Sequence, residues 1–189
     1  MTTITVVRKS NEIAIAADTL TKWGSGKESA KYVVNSGKIL NFGDNYLAVT
    51  GNATFKLILS DYFSGEGQNA MLSSSGEIFK TWNKLHQKLK ESYFLMPEED
   101  KDDSLESSRM DVLIANRHGI FGVSGHRTVQ EFSRFYAYGS GSDYALGSMY
   151  ANYELADITA EQIAKKAVEA AAEFDDGTST PIDSHSITI

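Results

Sequence analysis

The order of strand-like and helix-like patterns constrains the fold of this chain more than any other feature of its sequence. Polar and apolar residues alternate near the start and again further along, which predicts two β-hairpins over residues 3–17 and 39–50. The second hairpin turns at residues 43–45, Gly-Asp-Asn, a combination typical of tight turns. Residues 19–36 are rich in Gly, Ser, Thr and Lys and predict an irregular or short-stranded connection between the hairpins.

Helical spacing of apolar residues follows in two pairs. The first pair begins after Gly51, and its second helix is predicted over residues 75–93. The predicted apolar face of that second helix comprises Ile78, Phe79, Trp82, Leu85 and Leu89. The other pair begins with a helix near Ser142 and continues with a helix that starts at a capping box, in which Thr159 precedes Gln162 by three positions.

Strand patterns fill the remaining parts of the chain. Four strands are predicted between residues 110 and 138, and a last one at residues 184–189. This order of elements predicts an α+β fold with two antiparallel sheets between two helical layers, a four-layer αββα sandwich. Because the sequence has no repeat and no linker, a single domain over residues 1–189 is expected. The acidic stretch at residues 98–108 predicts a mobile loop.

Charge and composition argue against several classes of function. The formal net charge of −7 disfavours nucleic acid as a partner, because binding to its backbone depends on Lys and Arg. The chain has no cysteine, which excludes disulfides, thiolate metal sites and a cysteine nucleophile. Its four histidines lack the spacing of ligand pairs, so neither a metal nor a cofactor is expected. No apolar stretch has the length of a membrane span or of a signal peptide, and we expect no membrane association and a cytoplasmic location.

Thr2 is the residue with the clearest chemical potential. Removal of Met1 is favoured before a residue as small as threonine, and it would leave Thr2 with a free α-amine beside its own hydroxyl. An α-amine has an ordinary pKa of roughly 7.7–8.0, so a useful fraction is neutral near physiological pH and can accept the hydroxyl proton. Threonine paired with its own amine is a known form of activated nucleophile. The same residues also suit an ordinary edge strand, so the rest of the chain must decide.

Six short motifs occur in a characteristic order along the chain. They are Thr2-Thr3-Ile4, Ala16-Ala17-Asp18, Gly37-Lys38-Ile39, Val49-Thr50-Gly51, Tyr138-Gly139-Ser140-Gly141 and the segment from Asp175 through Thr178 to Asp183. In this order and spacing the chain resembles the proteasome β subunits and their bacterial relative HslV, which are N-terminal nucleophile threonine peptidases. The resemblance spans nearly the whole chain and implies the N-terminal nucleophile hydrolase fold. The length of the chain favours HslV or another compact bacterial homologue.

The resemblance implies a role for each residue of a reacting group. Thr2 is the nucleophile, Asp18 is the carboxylate that orients a lysine, and Lys38 is that lysine. Gly51 supplies a backbone N–H to the oxyanion hole. The set is chemically coherent, because a nearby ammonium lowers the cost of forming the Thr2 alkoxide and a backbone N–H stabilises the tetrahedral intermediate. A specificity pocket is expected to draw on residues 19–33 and 50–54.

The resemblance also implies a hydrogen-bonding group that surrounds the terminal amine and steadies its protonation state. This group comprises Ser140, Asp175 and Thr178. The doubled aspartate leaves a one-residue uncertainty in the match, so Asp176 stays open as an alternative to Asp175.

The identity of the lysine has alternatives too. Asp18 and Lys38 are a few residues farther apart than in the family, and Lys38 is matched through its Gly-Lys-Ile context. A longer loop before Lys38 would account for the distance. Lys31 and Lys27 remain open as the partner of Asp18.

Partners and rival functions follow from the same resemblance. It implies a peptidase confined in a homo-oligomeric ring, which cleaves unfolded polypeptide and receives it from a separate unfoldase ATPase, since nothing in the chain resembles a P-loop. One rival is a ring-forming scaffold or binding protein that keeps the fold without turnover. The other rival is an N-terminal nucleophile amidohydrolase that acts on a small amide.

Overall fold

The structure is a computed structural model that describes residues 2–96 and 104–189, and within these ranges the chain forms eleven strands and four helices. The strands are β1 (Thr3–Lys9), β2 (Glu12–Asp18), β3 (Thr21–Trp23), β4 (Gly26–Glu28), β5 (Ile39–Phe42), β6 (Asn45–Val49), β7 (Val112–Asn116), β8 (Gly119–Val123), β9 (Val129–Phe132), β10 (Phe135–Gly139) and β11 (Ile182–Thr188). The helices are α1 (Thr54–Ser64), α2 (Ser75–Glu91), α3 (Ser142–Asn152) and α4 (Ala160–Phe174).

The strands form two antiparallel sheets and one short hairpin. The first sheet has the order β10-β1-β2-β11, and the second has the order β5-β6-β7-β8-β9. Strands β3 and β4 pair only with each other within the described ranges. The predicted α+β class, the antiparallel sheets and the order of elements along the chain are confirmed.

The central strands β1 and β2 are buried on both faces. Ile4 and Val6 belong to an apolar cluster shared with the second sheet. Val7, Ala14 and Ala16 belong to a second cluster, formed with α3 and α4. Because both faces of this pair of strands are covered, neither is exposed to solvent, and apolar residues on either face contribute to a core.

The polar residue in the alternation of β1, Thr5, is fully buried. Its Oγ1 donates to the carbonyl oxygen of Ala164 in α4 at 3.2 Å. The alternation that predicted the hairpin therefore reflects a buried hydroxyl with a hydrogen-bond partner rather than a solvent-exposed face.

Helix α4 packs on the first sheet through small residues. Thr159 and Gln162 form the predicted capping box, which satisfies donors at the start of the helix. The buried stripe comprises Ala160, Ile163, Ala164, Ala167, Val168 and Ala171. It shares a cluster with Ala14 and Ala16 of β2, and small side chains on both surfaces let helix and sheet approach closely.

Helices α1 and α2 share the third cluster with the second sheet. The predicted apolar face of α2 is correct for Ile78, Trp82, Leu85 and Leu89, which are buried. It is wrong for Phe79, whose side chain is 49% exposed. Each residue turns a helix by about 100°, so Phe79 falls to the side of the stripe that begins at Ile78. The helix also ends at Glu91, earlier than predicted.

Two remaining expectations concern the acidic stretch and membrane association. Most of the predicted mobile loop, residues 98–103, lies outside the described residues. In the part that is described, the Ser108 hydroxyl lies 2.9 Å from Nδ1 of His86 in α2. Among the helices that the structure describes, none combines the length and the apolar character needed to cross a membrane.

Gly139, at the end of β10, allows the chain to pass close to the first residues of β1. Its φ of +104° lies in a region that residues with a side chain rarely adopt. A Cβ at this position would lie 1.8 Å from the carbonyl oxygen of Thr2. Only glycine fits here without displacing the backbone of Thr2.

Replacement of Gly139 by alanine is therefore expected to lower the free energy of unfolding by about 2 kcal/mol or more, because the new methyl group must push the Thr2 backbone away. Gly147→Ala is the matched control, since a Cβ at Gly147 in α3 meets no atom within 4 Å. The Gly147→Ala variant is expected to have a free energy of unfolding that is higher by roughly 0.5–1 kcal/mol, because alanine favours the helix more than glycine does. Urea denaturation of both variants tests the pair, and equal effects would contradict the close approach at Gly139.

Candidate active site

Strands β1 and β2 bring Thr2 and Asp18 to the same edge of the first sheet. The register pairs Ile4 with Ala17, so the residues just beyond this pair meet where both strands end. The Asp18 carboxylate is completely buried, and its Oδ1 accepts a hydrogen bond from the backbone N–H of Thr3 at 3.0 Å. Its Oδ2 accepts one from the N–H of Leu20 at 2.9 Å. Two backbone donors therefore fix the orientation of this carboxylate.

Lys38 reaches the same point from the residue that precedes β5. Its Nζ donates to Oγ1 of Thr2 at 2.8 Å and to Oδ1 of Asp18 at 2.8 Å. Thr2 is 5% exposed and Lys38 is 9% exposed, so these contacts are largely shielded from water. Hydroxyl, ammonium and carboxylate thus form one chain of short hydrogen bonds, in which the ammonium can stabilise negative charge that develops on the Thr2 oxygen.

The two alternative lysines lie elsewhere. Lys31 is exposed, and its Nζ lies over the ring of Tyr32 at 5.5 Å from the centroid. Lys27 is exposed in the short strand β4. Of the three candidates, Lys38 is the one whose ammonium contacts Thr2 and Asp18.

Burial governs the acidity of this pair. It lowers the pKa of the Lys38 ammonium below the ordinary lysine range against the opposing effect of Asp18, and the like charge of Lys56 acts in the same direction as burial. Burial likewise raises the pKa of the Asp18 carboxyl, against the opposing effects of Lys38 and the two N–H donors. Asp18 thus acts to keep Lys38 charged against the effect of burial, and a charged Lys38 can stabilise negative charge on the Thr2 oxygen.

A second hydrogen-bonded group lies beside Thr3. The Oγ1 atoms of Thr3 and Thr178 are 2.6 Å apart, and Oγ1 of Thr178 donates to Oδ2 of Asp175 at 2.6 Å. The hydroxyl of Ser140 donates to the same Oδ2 at 2.7 Å. The structure therefore joins the three predicted residues of the hydrogen-bonding group through the Asp175 carboxylate. Asp176 is not part of it, because its carboxylate pairs with Lys22.

The backbone joins this group to Thr2. The N–H of Ser140 donates to the carbonyl oxygen of Thr2 at 2.9 Å. The N–H of Gly141 donates to Oγ1 of Thr3 at 3.2 Å. Thr3 thus links both groups through its backbone and its hydroxyl, a role that the sequence analysis missed. Its position beside Thr2 in a buried strand end was the available signal.

Gly51 lies across a small pocket from Thr2. It follows β6 and has a φ of +110°, and a Cβ there would lie 2.8 Å from the carbonyl oxygen of Arg109. The pocket has a volume of about 100 Å³ and is lined by both residues. The wall also includes Leu20, Thr21, Lys22, Trp23, Ser36, Lys38, Val49, Asn52, Ala53 and Lys56. The wall draws on both predicted segments, while Ser36, Val49 and Lys56 lie outside them and were missed.

Within the ranges 2–96 and 104–189, no group of three or more His, Cys, Asp or Glu side chains could hold a metal ion. The chemistry available at this edge of the sheet is that of a hydroxyl, an ammonium, a carboxylate and backbone N–H groups.

Comparisons with known proteins identify relatives of the whole chain. No protein-family profile matches it. The "ATP-dependent protease subunit HslV" of Caldicellulosiruptor saccharolyticus is 28% identical over 177 residues, covering 90% of this chain and 89% of the relative. The protein of the same name from Petrotoga mobilis is 28% identical over 181 residues, covering 92% and 89%.

Solved structures extend the comparison. The BPH of Thiobacillus denitrificans is 59% identical, with a TM-score of 0.94 and coverage of 98% of this chain and 97% of that one. The same BPH in complex with epoxomicin gives a TM-score of 0.93. HslV of Trypanosoma brucei shares the fold, with a TM-score of 0.72 at 18% identity over 99% of both chains. The chain belongs to the family of threonine peptidases that contains the proteasome β subunits and HslV.

Proposed function

We propose that this peptidase uses Thr2 as its nucleophile once Met1 has been removed. The observation that carries the proposal is the contact of 2.8 Å between the Thr2 hydroxyl and the Lys38 ammonium, which Asp18 holds in place from the other side. The complex of the related BPH with epoxomicin, a proteasome inhibitor, supports the same chemistry. A threonine whose hydroxyl contacts a buried cation is prepared for attack, because the cation stabilises the developing alkoxide.

The reaction can be followed atom by atom. Oγ1 of Thr2 attacks the carbonyl carbon of the substrate, and its proton passes to the α-amine that removal of Met1 exposes. The backbone N–H of Gly51 donates to the oxyanion of the tetrahedral intermediate. The C–N bond then breaks, the departing amine takes the proton, and an ester remains on Thr2. Water attacks this ester with the α-amine again as base, and releases the acid product.

The second hydrogen-bonded group has a supporting role in this scheme. Ser140, Asp175 and Thr178 are joined through Oδ2 of Asp175, and Thr178 contacts the hydroxyl of Thr3, the next residue after the nucleophile. This chain of hydrogen bonds steadies the start of β1, which carries the α-amine, and a negative charge near an amine favours its protonated form. We assign these three residues to control of the amine rather than to bond breaking.

The names of two relatives suggest how the protein assembles and which partners it has. We propose that the chain forms a single peptidase domain with the four-layer αββα arrangement, and that copies of it build a homo-oligomeric ring in the cytoplasm. The ring would admit unfolded polypeptide, and a separate ATPase would supply the energy for unfolding. Support comes from the name that two relatives carry, ATP-dependent protease subunit.

Cleavage assays without nucleotide test this function. The purified protein is incubated with short fluorogenic peptides, with a permanently unfolded protein and with a folded protein of similar length, and its particle mass is measured as a multiple of 20.7 kDa. We expect a multimeric particle that cleaves the peptides and the unfolded protein but spares the folded one. A multimer without any cleavage would support a scaffold, and hydrolysis of small amides alone would support an amidohydrolase.

A further inference from the structure

Lys38 depends on a segment that has no regular structure. Residues 29–38 connect β4 to β5 without forming a helix or strand. Much of the connection is exposed, including Tyr32 at 79% and Val34 at 104%. Yet Nζ of Lys38 must stay at 2.8 Å from the Thr2 hydroxyl for the chemistry to work. Strand β5, which pairs with β6, fixes the backbone that follows Lys38, so the backbone that precedes it needs a contact from outside the segment.

Lys56 in α1 makes this connection. Its Nζ donates to the carbonyl oxygen of Gly37 at 2.9 Å and also to that of Asn35. Within the parts of the chain that the structure describes, no other side chain from outside residues 29–37 donates to the backbone of this segment. The two carbonyl groups flank Ser36, which lines the pocket beside Thr2. The Lys56 ammonium therefore fixes the backbone before and after Ser36, and the second of these contacts is at the residue directly before Lys38.

The helix that carries Lys56 is itself well anchored. Phe55 and Leu59, which lie on either side of Lys56 in the sequence, are buried in the cluster that α1 shares with the second sheet. The Lys56 ammonium is partly buried, which strengthens charge-assisted hydrogen bonds to carbonyl oxygens relative to the same bonds in water. The side chain of Lys56 thus ties the backbone of the irregular segment to a well-anchored helix.

We propose that Lys56 is a positioning residue for the reaction: its ammonium fixes the backbone at residues 35–37 and thereby sets the Nζ of Lys38 against the Thr2 hydroxyl. This inference rests on the proposed function of Thr2 and Lys38. It concerns a residue whose hydrogen bonds go to the backbone rather than to either of their reacting atoms. Loss of these two hydrogen bonds should misplace Lys38 while leaving strands β1 and β2, which position Thr2 and Asp18, unchanged.

Two substitutions at Lys56 separate this role from others. Lys56→Met keeps most of the aliphatic stem but removes the donors, and a small misplacement of a catalytic group is expected to lower kcat by about 10- to 100-fold. Lys56→Arg keeps a cation with several donors and is expected to stay within about threefold of wild type. Lys31→Met, a change of an exposed lysine in the same segment, is the matched control and is expected to leave kcat unchanged.

The experiment measures kcat and KM for two peptides that differ in charge, the rate of epoxyketone labelling, the particle mass and the melting temperature for each variant. We expect kcat and the labelling rate to fall for Lys56→Met, while KM for both peptides stays within about threefold of wild type and the particle stays intact. Lys56→Arg should restore both rates.

A change confined to KM would make Lys56 a substrate-binding residue, and wild-type rates for Lys56→Met would remove it from the reaction. Loss of rate together with the particle, even in Lys56→Arg, would make its role structural. If the wild-type protein itself does not label, the proposed function fails before the inference is tested.

Discussion

Thr2→Ala is expected to abolish peptide cleavage, with a loss of at least about 10⁴-fold in kcat, while the particle mass stays that of wild type. The substitution removes only a hydroxyl and a methyl group, and alanine is small enough for Met1 to be removed as before. The variant therefore keeps the α-amine, Lys38 and the pocket but has no oxygen to attack the substrate. Cleavage of a fluorogenic peptide at matched particle concentration measures the effect.

Thr2→Ser is the control for this prediction. Serine keeps both the hydroxyl and the α-amine but lacks the γ-methyl group that restricts the threonine rotamer. We expect measurable cleavage, reduced by less than about 10²-fold, because the reacting atoms remain while their orientation is freer. Loss of the particle in Thr2→Ala would instead give Thr2 a structural role, and retained cleavage would exclude it as the nucleophile.

Lys38→Met is expected to reduce cleavage by at least about 10³-fold, whereas Lys31→Met leaves it at the wild-type level. The Lys38 ammonium lies 2.8 Å from the Thr2 hydroxyl, and its removal takes away the cation that stabilises the alkoxide. Lys31 lies in the same segment but is exposed and faces Tyr32. The opposite result, an inactive Lys31→Met and an active Lys38→Met, would overturn the assignment of the lysine.

Stability needs its own control in this experiment. Without Lys38, the completely buried Asp18 carboxylate loses its only ion pair within the described residues, and an unpaired buried charge is destabilising by about 3–5 kcal/mol. The double variant Asp18→Asn with Lys38→Met removes both charges and should recover part of this stability without recovering cleavage. The recovery is partial because the amide oxygen can replace only one of the two acceptors that the backbone N–H groups of Thr3 and Leu20 use. A stable but inactive double variant separates catalysis from folding.

The pH dependence of the single Lys38→Met variant follows with a definite sign. Burial already raises the pKa of Asp18, and Lys38 is the strongest influence that lowers it. Removing Lys38 raises the folded-state pKa further, so the folded protein binds more protons than the unfolded chain between the two pKa values. The contribution of Asp18 to the stability of this variant is therefore fully present below its unfolded-state pKa and is lost as the pH rises through its folded-state pKa. Urea denaturation at several pH values would show this slope.

Much of the fold was predictable because local patterns matched the final packing. The hairpins, the capping box of Thr159 and Gln162 and the order of elements depend on neighbours in sequence, and all are present. Phe79 shows the limit of such patterns, because its place at the edge of the α2 stripe depends on what the sheet covers. A hydrophobic residue beside a stripe looks the same in the sequence whether or not a partner surface reaches it.

The site residues were predictable where they lie in recognisable sequence motifs. They were not predictable where a long irregular connection separates two residues that meet in the fold. Lys38 was matched through its neighbours in sequence, although the long connection from Asp18 left Lys31 and Lys27 open. The hydrogen bonds of Lys38 show which lysine reaches the carboxylate, and the pairing of Asp176 with Lys22 separates it from Asp175. These distinctions depend on the path of irregular segments, which no periodic pattern encodes.

Lys56 and Thr3 were missed for a different reason. Lys56 acts on backbone carbonyl groups about twenty positions away in sequence, and carbonyl acceptors leave no trace in side-chain identity. Thr3 looks like part of an alternating strand, yet its N–H and hydroxyl connect the Asp18 group with the Asp175 group. Residues that organise a site through the backbone become visible only once the fold brings the segments together.

The most direct test of the account is an intact mass of the purified protein before and after incubation with a peptide epoxyketone. This reagent needs a hydroxyl and a free α-amine on the same residue to form its ring adduct. The account predicts loss of Met1 and one adduct per chain, with no adduct on Thr2→Ala. Met1 retained together with no adduct, unchanged after enzymatic removal of Met1, would contradict the claim that Thr2 is the N-terminal nucleophile.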